Sequence, residues 1–269
     1  MTTGTEQPKR EDLLAAVERS PQAFTVHDRD AWVGVFTADA RVEDPVGSHP
    51  HVGHEQIYRF YDTFIGPRDI TFHRDLDIVR GGTVLRDLEL EVAMGPGVTM
   101  FVPAYLRYDL RDVHGQWQIA GLRAYWELPQ MIVKFVRSGP RAAVPAIKLS
   151  QGLLGNQGLR GTAGFMAGFR RVGKRHKAAV EGFLAAAQRG DKNAALHALS
   201  PAATVTIGDD DPIDLGELVD RLRGAKWTKV IGAGSTVALS LATDRGRAIM
   251  FADMARPGKA IDRIRYYPG

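Results

Sequence analysis

The chain has 269 residues, 44% hydrophobic and 25% charged, a balance that excludes fibrous and intrinsically disordered proteins and leaves room for two ordinary domains. It contains no cysteine, which rules out disulfides, thiolate nucleophiles and cysteine-bound metals. Its net charge of +4 is uneven: residues 128–180 carry ten basic and no acidic side chains, while the remainder carries 25 basic and 31 acidic ones. Basic charge confined to one connecting stretch, without interleaved aromatics on a folded face, argues against a nucleic-acid partner. The opening residues MTTGTEQPKREDLL are polar and charged, and no apolar run reaches the length of a membrane span. A cytoplasmic protein is expected.

In chain order, Leu13, Leu14 and Val17 form a short apolar helical stripe, and Ser20-Pro21 reads as an N-cap followed by proline at a first helical position. A helix over 30–36 places Ala31, Trp32, Val35 and Phe36 on one face. A short strand over 41–44, a Pro/Gly/His loop and a helix over 54–64 follow, the last with Ile57, Phe60, Tyr61 and Phe64 at helical spacing. From Ile70 the period changes to two. Leu88, Leu90 and Val92 alternate with Asp87, Glu89 and Glu91, and turns fall at Gly81-Gly82, Gly95-Pro96-Gly97 and His114-Gly115. Helices first and a meandering antiparallel sheet afterwards predict an α+β lobe over residues 1–130.

Residues 131–174 form a basic, glycine-rich connector, with glycines at 152, 155, 158, 161, 164 and 168. Each glycine inside a helix costs about 1 kcal/mol relative to alanine, so short helical pieces such as 131–137 are expected rather than one long helix. The glycines do not form a phosphate loop, because no strand precedes them and the Gly-Lys-Ser/Thr ending is missing. From 175 to 269 the opening pattern returns: helix, turn at Gly190-Asp191, helix, strand, then strands over 236–242, 247–253 and 261–267. This reads as a second, shorter copy of the same lobe, giving tandem cone-shaped lobes of helices on a curved antiparallel sheet.

The segment ADARVEDPVGSHPHVGHEQIYRFY, with the later LRAYW at 122–126, resembles the ketosteroid isomerase and SnoaL-like polyketide cyclase group of the nuclear transport factor 2-like superfamily. The resemblance covers residues 10–130. It implies a pocket for an apolar small molecule with Asp44, the aspartate of V-E-D-P, shuttling a proton between two carbons. Independently of the family, neighbours in a strand face opposite sides, so only one of Glu43 and Asp44 can face a pocket. An aspartate aimed into an apolar cleft becomes more basic. The competing reading is that Asp44 caps the turn at Pro45.

An enolate oxygen also needs hydrogen-bond donors. The family's tyrosine position falls on Ser20, and its acid position on Tyr105 in VPAYLRYDL, with the longer hairpin leaving the register open by a residue or two. Tyr105, with Tyr61 as a second or supporting donor, is thus the expected set, and Trp32, Phe60, Phe64, Val102 and Trp126 the expected apolar walls. His49, His51 and His54 lie close together but lack a carboxylate or cysteine to complete a metal set, so no metal is expected, and the chemistry implies no cofactor. In the second copy, aligning Val205 with Val42 puts Ile207 at the position of Asp44, so that lobe has no base and is expected to be structural or a homodimer surface.

The expected function is intramolecular proton transfer on a steroid or similar apolar ketone. The alternatives are a non-catalytic steroid or lipid carrier, or a cyclase, dehydratase or epoxide hydrolase reaction in the same pocket. The basic stretch 131–177, interleaved with Ile132, Phe135, Leu153, Phe165 and Phe169, is expected either to touch anionic membrane, to lie as a lid over the first pocket, or to be a packed linker.

Overall fold

A computed structural model describes residues 8–95, 97–137, 147, 155, 172–255 and 258–269, with only the backbone of 134–137. The first lobe opens with helices α1 (Arg10–Thr25) and α2 (Arg29–Gly34), strand β1 (Phe36–Glu43), a short β2 (His51–Val52) and helix α3 (Gly53–Phe60), which runs on into a π-helical turn at Tyr61–Ile65. Four long strands complete it: β3 (Asp69–Arg80), β4 (Thr83–Gly95), β5 (Val98–Val113) and β6 (Gln116–Tyr125). The sheet order is β2-β1-β6-β5-β4-β3, antiparallel except where β1 lies parallel to β6. Helix α4 (Leu128–Arg137) then leaves the sheet.

The second lobe repeats this plan. Helices α5 (Lys174–Gln188) and α6 (Lys192–His197), strands β7 (Leu199–Ile207) and β8 (Asp211–Pro212) and helix α7 (Leu215–Leu222) lead into β9 (Lys226–Ala233), β10 (Thr236–Thr243), β11 (Gly246–Met254) and β12 (Ile261–Pro268). Its order, β8-β7-β12-β11-β10-β9, mirrors the first sheet element for element. The architecture is therefore α+β with two six-stranded mixed sheets. Val42 pairs with Leu122 in the first sheet and Val205 with Ile264 in the second, so the two parallel registers correspond. Helix α7 and strand β9, which the sequence pattern left unassigned, make the second lobe as complete in strands as the first.

Local expectations are corrected here: the helix expected over 30–36 ends at Gly34, and Phe36 already opens β1. Ser20 is not an N-cap: α1 continues through Pro21. Proline inside a helix costs about 3 kcal/mol, yet Leu13, Ala16, Val17, Ser20, Ala23 and Phe24 form one unbroken buried stripe, and docking that stripe on the sheet outweighs the lost backbone bond.

Each lobe buries a core between its helices and one sheet face. The opposite faces of the two sheets pack against each other. Ile78, Leu85, Tyr105 and Tyr125 meet Ile231, Ala233, Ala238, Ile249, Phe251 and Tyr267 in a single apolar cluster. Polar pairs surround and penetrate it. Arg107 donates through both terminal nitrogens to Asp209 at 2.8 Å, Arg247 grips Asp75, and Lys229 pairs with the buried Asp87. Among the described residues, no helix is long and apolar enough to cross a membrane. Of the basic connector, most of 138–171 lies outside the described residues, including Leu153, Phe165 and Phe169.

Candidate active site in the first lobe

The site is built at the end of β1. Glu43 and Asp44 diverge, as strand geometry requires. Glu43 Oε1 accepts from the Gly47 amide at 2.8 Å and closes the turn, so the turn-capping carboxylate is Glu43 and not Asp44. Asp44, followed by a cis peptide to Pro45, faces the other way and accepts a hydrogen bond from Trp126 Nε1 at 2.5 Å. The loop beyond is held on both sides. The Val46 amide donates to the Ala124 carbonyl at 2.8 Å, and the left-handed Gly234 of the second lobe approaches so closely that a Cβ there would stand 3.2 Å from the Gly47 Cα. The second lobe thus buttresses the loop that carries Asp44.

Asp44 is enclosed by protein except toward a cavity under α1, α2, α3 and α4. Trp32, Phe60, Phe64, Val102 and Trp126 all stand in its wall together with Asp44. Phe24, Ile65, Ile70, Phe72, Leu90, Val92, Met94, Leu106, Leu122 and Met131 complete an almost wholly apolar lining. Trp32 lies 4.9 Å from Phe36 and 6.2 Å from Phe60, and Phe60 lies 5.2 Å from Phe64, so the aromatic wall is a continuous cluster. Met131 brings the first turn of α4, the start of the basic connector, into the wall. Burial pushes the Asp44 carboxyl up to about 6, and the Trp126 hydrogen bond to its charged form partly opposes the rise.

Two expected donors lie elsewhere. Tyr105 is turned away from the cavity into the contact between lobes, where its hydroxyl is 3.0 Å from both the Lys229 carbonyl oxygen and Ser240 Oγ. The reason is parity: on β5, Val98, Met100, Val102, Leu106 and Tyr108 point toward the first lobe's helices or cavity, and the odd-numbered Tyr105 and Arg107 point to the second lobe. Tyr61 packs its ring 5.4 Å from Trp32, outside the cavity wall, and its fully enclosed hydroxyl has no hydrogen-bond partner among the described residues. Burial raises its phenol, and the charges of Asp28 and Asp62, outside the cavity, add to the effect.

Two hydroxyl residues that were not singled out as donors do line the cavity: Ser20 from α1 and Tyr108 from β5. Neither makes a side-chain hydrogen bond among the described residues, and neither hydroxyl is among the fully enclosed unpartnered atoms. Burial raises the Tyr108 phenol, with the Asp44 charge contributing, so Tyr108 is a neutral donor within electrostatic reach of the carboxylate. Counting by two from Val102 along β5 would have found it.

The three clustered histidines have separate roles. His49 Nδ1 donates to the Pro50 carbonyl and His54 Nε2 to the Phe36 carbonyl, both at 3.0 Å, while His51 packs 5.0 Å from Phe60. Burial, and next the neighbouring His49, lower His51 to about 4, so it is neutral at pH 7. No group of three potential ligands among the described residues is arranged to hold a metal. In the second lobe the corresponding position, Ile207, packs against a core filled by Phe183, Leu218, Leu239, Met250 and Tyr266.

Among the described residues, the site is thus an apolar cavity between helices and a mixed sheet, with Asp44 as its carboxylate. Residues 17–118, within the first lobe, match the family model described as a SnoaL-like domain. Among solved structures, the chain is similar to a Δ5-3-ketosteroid isomerase from Mycobacterium sp. (26% identity, 44% of this chain and 95% of that one, TM-score 0.40). It is also similar to a Mycobacterium tuberculosis protein solved with estradiol-17β-hemisuccinate (25%, 45% and 96%, 0.40). A third is an epoxide hydrolase of the same organism (19%, 51% and 99%, 0.42).

Proposed function

We propose that the first lobe is an isomerase-type enzyme that moves a proton within a steroid-like or other flat, apolar ketone. The observation that carries this reading is Asp44: a carboxylate facing an apolar cavity, held by one indole N–H, and basic enough at about 6 to exchange a proton near neutral pH. In the forward step the carboxylate removes a proton from the carbon beside the carbonyl. The C–H electron pair forms the enolate double bond, and the carbonyl pair moves to oxygen. Protonated Asp44 then returns the proton at the far carbon of the conjugated system, restoring the carbonyl and shifting the double bond. The carbonyl is the electron sink, so no cofactor enters the balance. Tyr108 and Ser20 are the donors available to the developing oxyanion.

Mixing the protein with a 5-ene-3-ketosteroid and following ultraviolet absorbance tests the assignment, and formation of the conjugated 4-ene is the expected result. The second reading, a steroid carrier, draws on Ser20, a shorter donor standing where the family places a tyrosine. Tight binding of the steroid without turnover would select it.

A further inference from the structure

Among the described residues, the cavity wall has one charged side chain besides Asp44. Arg68 follows the π-helical turn and shares the wall with Phe64, Ile65 and Ile70. Its Nη1 donates to the Thr63 and Phe64 carbonyls at 2.8 and 2.9 Å, which accounts for one nitrogen of the guanidinium. Among the described residues, Nε and Nη2 have no hydrogen-bond partner, and no carboxylate lies within ion-pair distance. The acidic residues nearest in sequence are engaged elsewhere: Asp62 takes both 2.6 Å bonds from Arg29, and Asp69 pairs with His27 at 3.1 Å. Half-buried arginine is normally paired with an anion, because a desolvated charge is costly alone. Burial lowers the basicity of Arg68, as expected of a guanidinium without a paired anion.

From this geometry we infer that the natural ligand is an amphipathic acid: an apolar skeleton whose reactive carbonyl end reaches Asp44 and whose carboxylate or sulfate head is taken by the free Nε–Nη2 edge of Arg68. That edge matches two oxygens of a carboxylate or sulfate in a bidentate fork. The inference rests on the cavity being a ligand site, as proposed above, and adds the charge of the ligand.

The test uses 3-oxo-4-androstene-17β-carboxylic acid and its methyl ester, which share one skeleton and differ in one negative charge. Quenching of protein tryptophan fluorescence reports binding, since Trp32 and Trp126 stand in the wall. At pH 7.5 and low salt the full-length protein is expected to bind the acid at least about tenfold more tightly than the ester, the scale of one charge-assisted hydrogen bond. Arg68→Met is expected to abolish the preference while leaving ester binding in place. Arg68→Lys, which keeps the charge and loses the fork, should retain part of it and covers the case in which Arg68→Met does not fold. Equal binding of acid and ester by the wild-type protein, or an undiminished preference in Arg68→Met, overturns the inference alone. Failure of both compounds to bind overturns the cavity reading and this inference with it.

Discussion

Replacing Asp44 by asparagine should make the protein more stable at neutral pH while removing its activity. Burial raises the carboxyl from 3.8 to about 6, so the folded state holds the proton more tightly than the unfolded chain does. A carboxyl with a raised folded value stabilises the protein below the unfolded value, and that contribution is lost as pH rises through the folded one. A shift of about two units corresponds to about 3 kcal/mol, of which about 2 kcal/mol falls between pH 4.5 and 7.5. Asparagine is nearly isosteric, keeps an oxygen for the Trp126 N–H, and has no charge to desolvate. Urea unfolding of both proteins at several pH values across that interval measures the effect. The stability difference in favour of Asp44→Asn should widen by about 2 kcal/mol as pH rises. A difference that stays constant with pH would refute the claim that desolvation governs this carboxyl.

The remaining predictions separate the cavity from the contact between lobes. Tyr108→Phe removes an oxyanion donor and should cost about 100- to 1,000-fold in kcat, whereas Tyr105→Phe should leave kcat unchanged and lower unfolding stability by about 1 kcal/mol through its lost interlobe hydrogen bond. Trp126→Phe removes the donor that holds the Asp44 value down, so the acidic limb of the pH–rate profile should move to higher pH. Asp87→Ala removes the carboxylate that Lys229 and Ser240 share at the contact between lobes, leaving Lys229 its bond to the Leu88 carbonyl, and should cost about 1–3 kcal/mol in urea unfolding.

The motif around Asp44 was legible because its information is local: strand parity alone separates Glu43 from Asp44, and the apolar spacing of Phe60 and Phe64 places them on the same wall. The donors were not, because a one-residue ambiguity in β5 moves a side chain from the cavity to the opposite face of the sheet. Tyr105 and Tyr108 look alike as residues, but Val102 and Tyr105 were both expected in the pocket although strand parity puts them on opposite faces, and Tyr108 is the tyrosine that shares the parity of Val102. The contact between lobes was hidden for a different reason. Asp87 and Ser240 are 153 positions apart, and each reads as an ordinary polar strand residue until the sheets pack and Ser240 donates to the carboxylate. Strand β9 was missed because Lys226, Thr228 and Lys229 dilute its apolar signal, and the positive φ of Lys229 falls where its pairing with β10 shifts register.

Proton transfer by Asp44 is tested most directly by the pH dependence of kcat/KM for a 5-ene-3-ketosteroid, measured in the wild-type protein and in Asp44→Asn. The wild-type value should rise through a single ionisation near pH 6 and level off above it, and the variant should be lower by about 10,000-fold or more throughout. A profile flat from pH 5 to 7.5, or a variant that turns over the steroid at the wild-type rate, would contradict the assignment of Asp44 as the base.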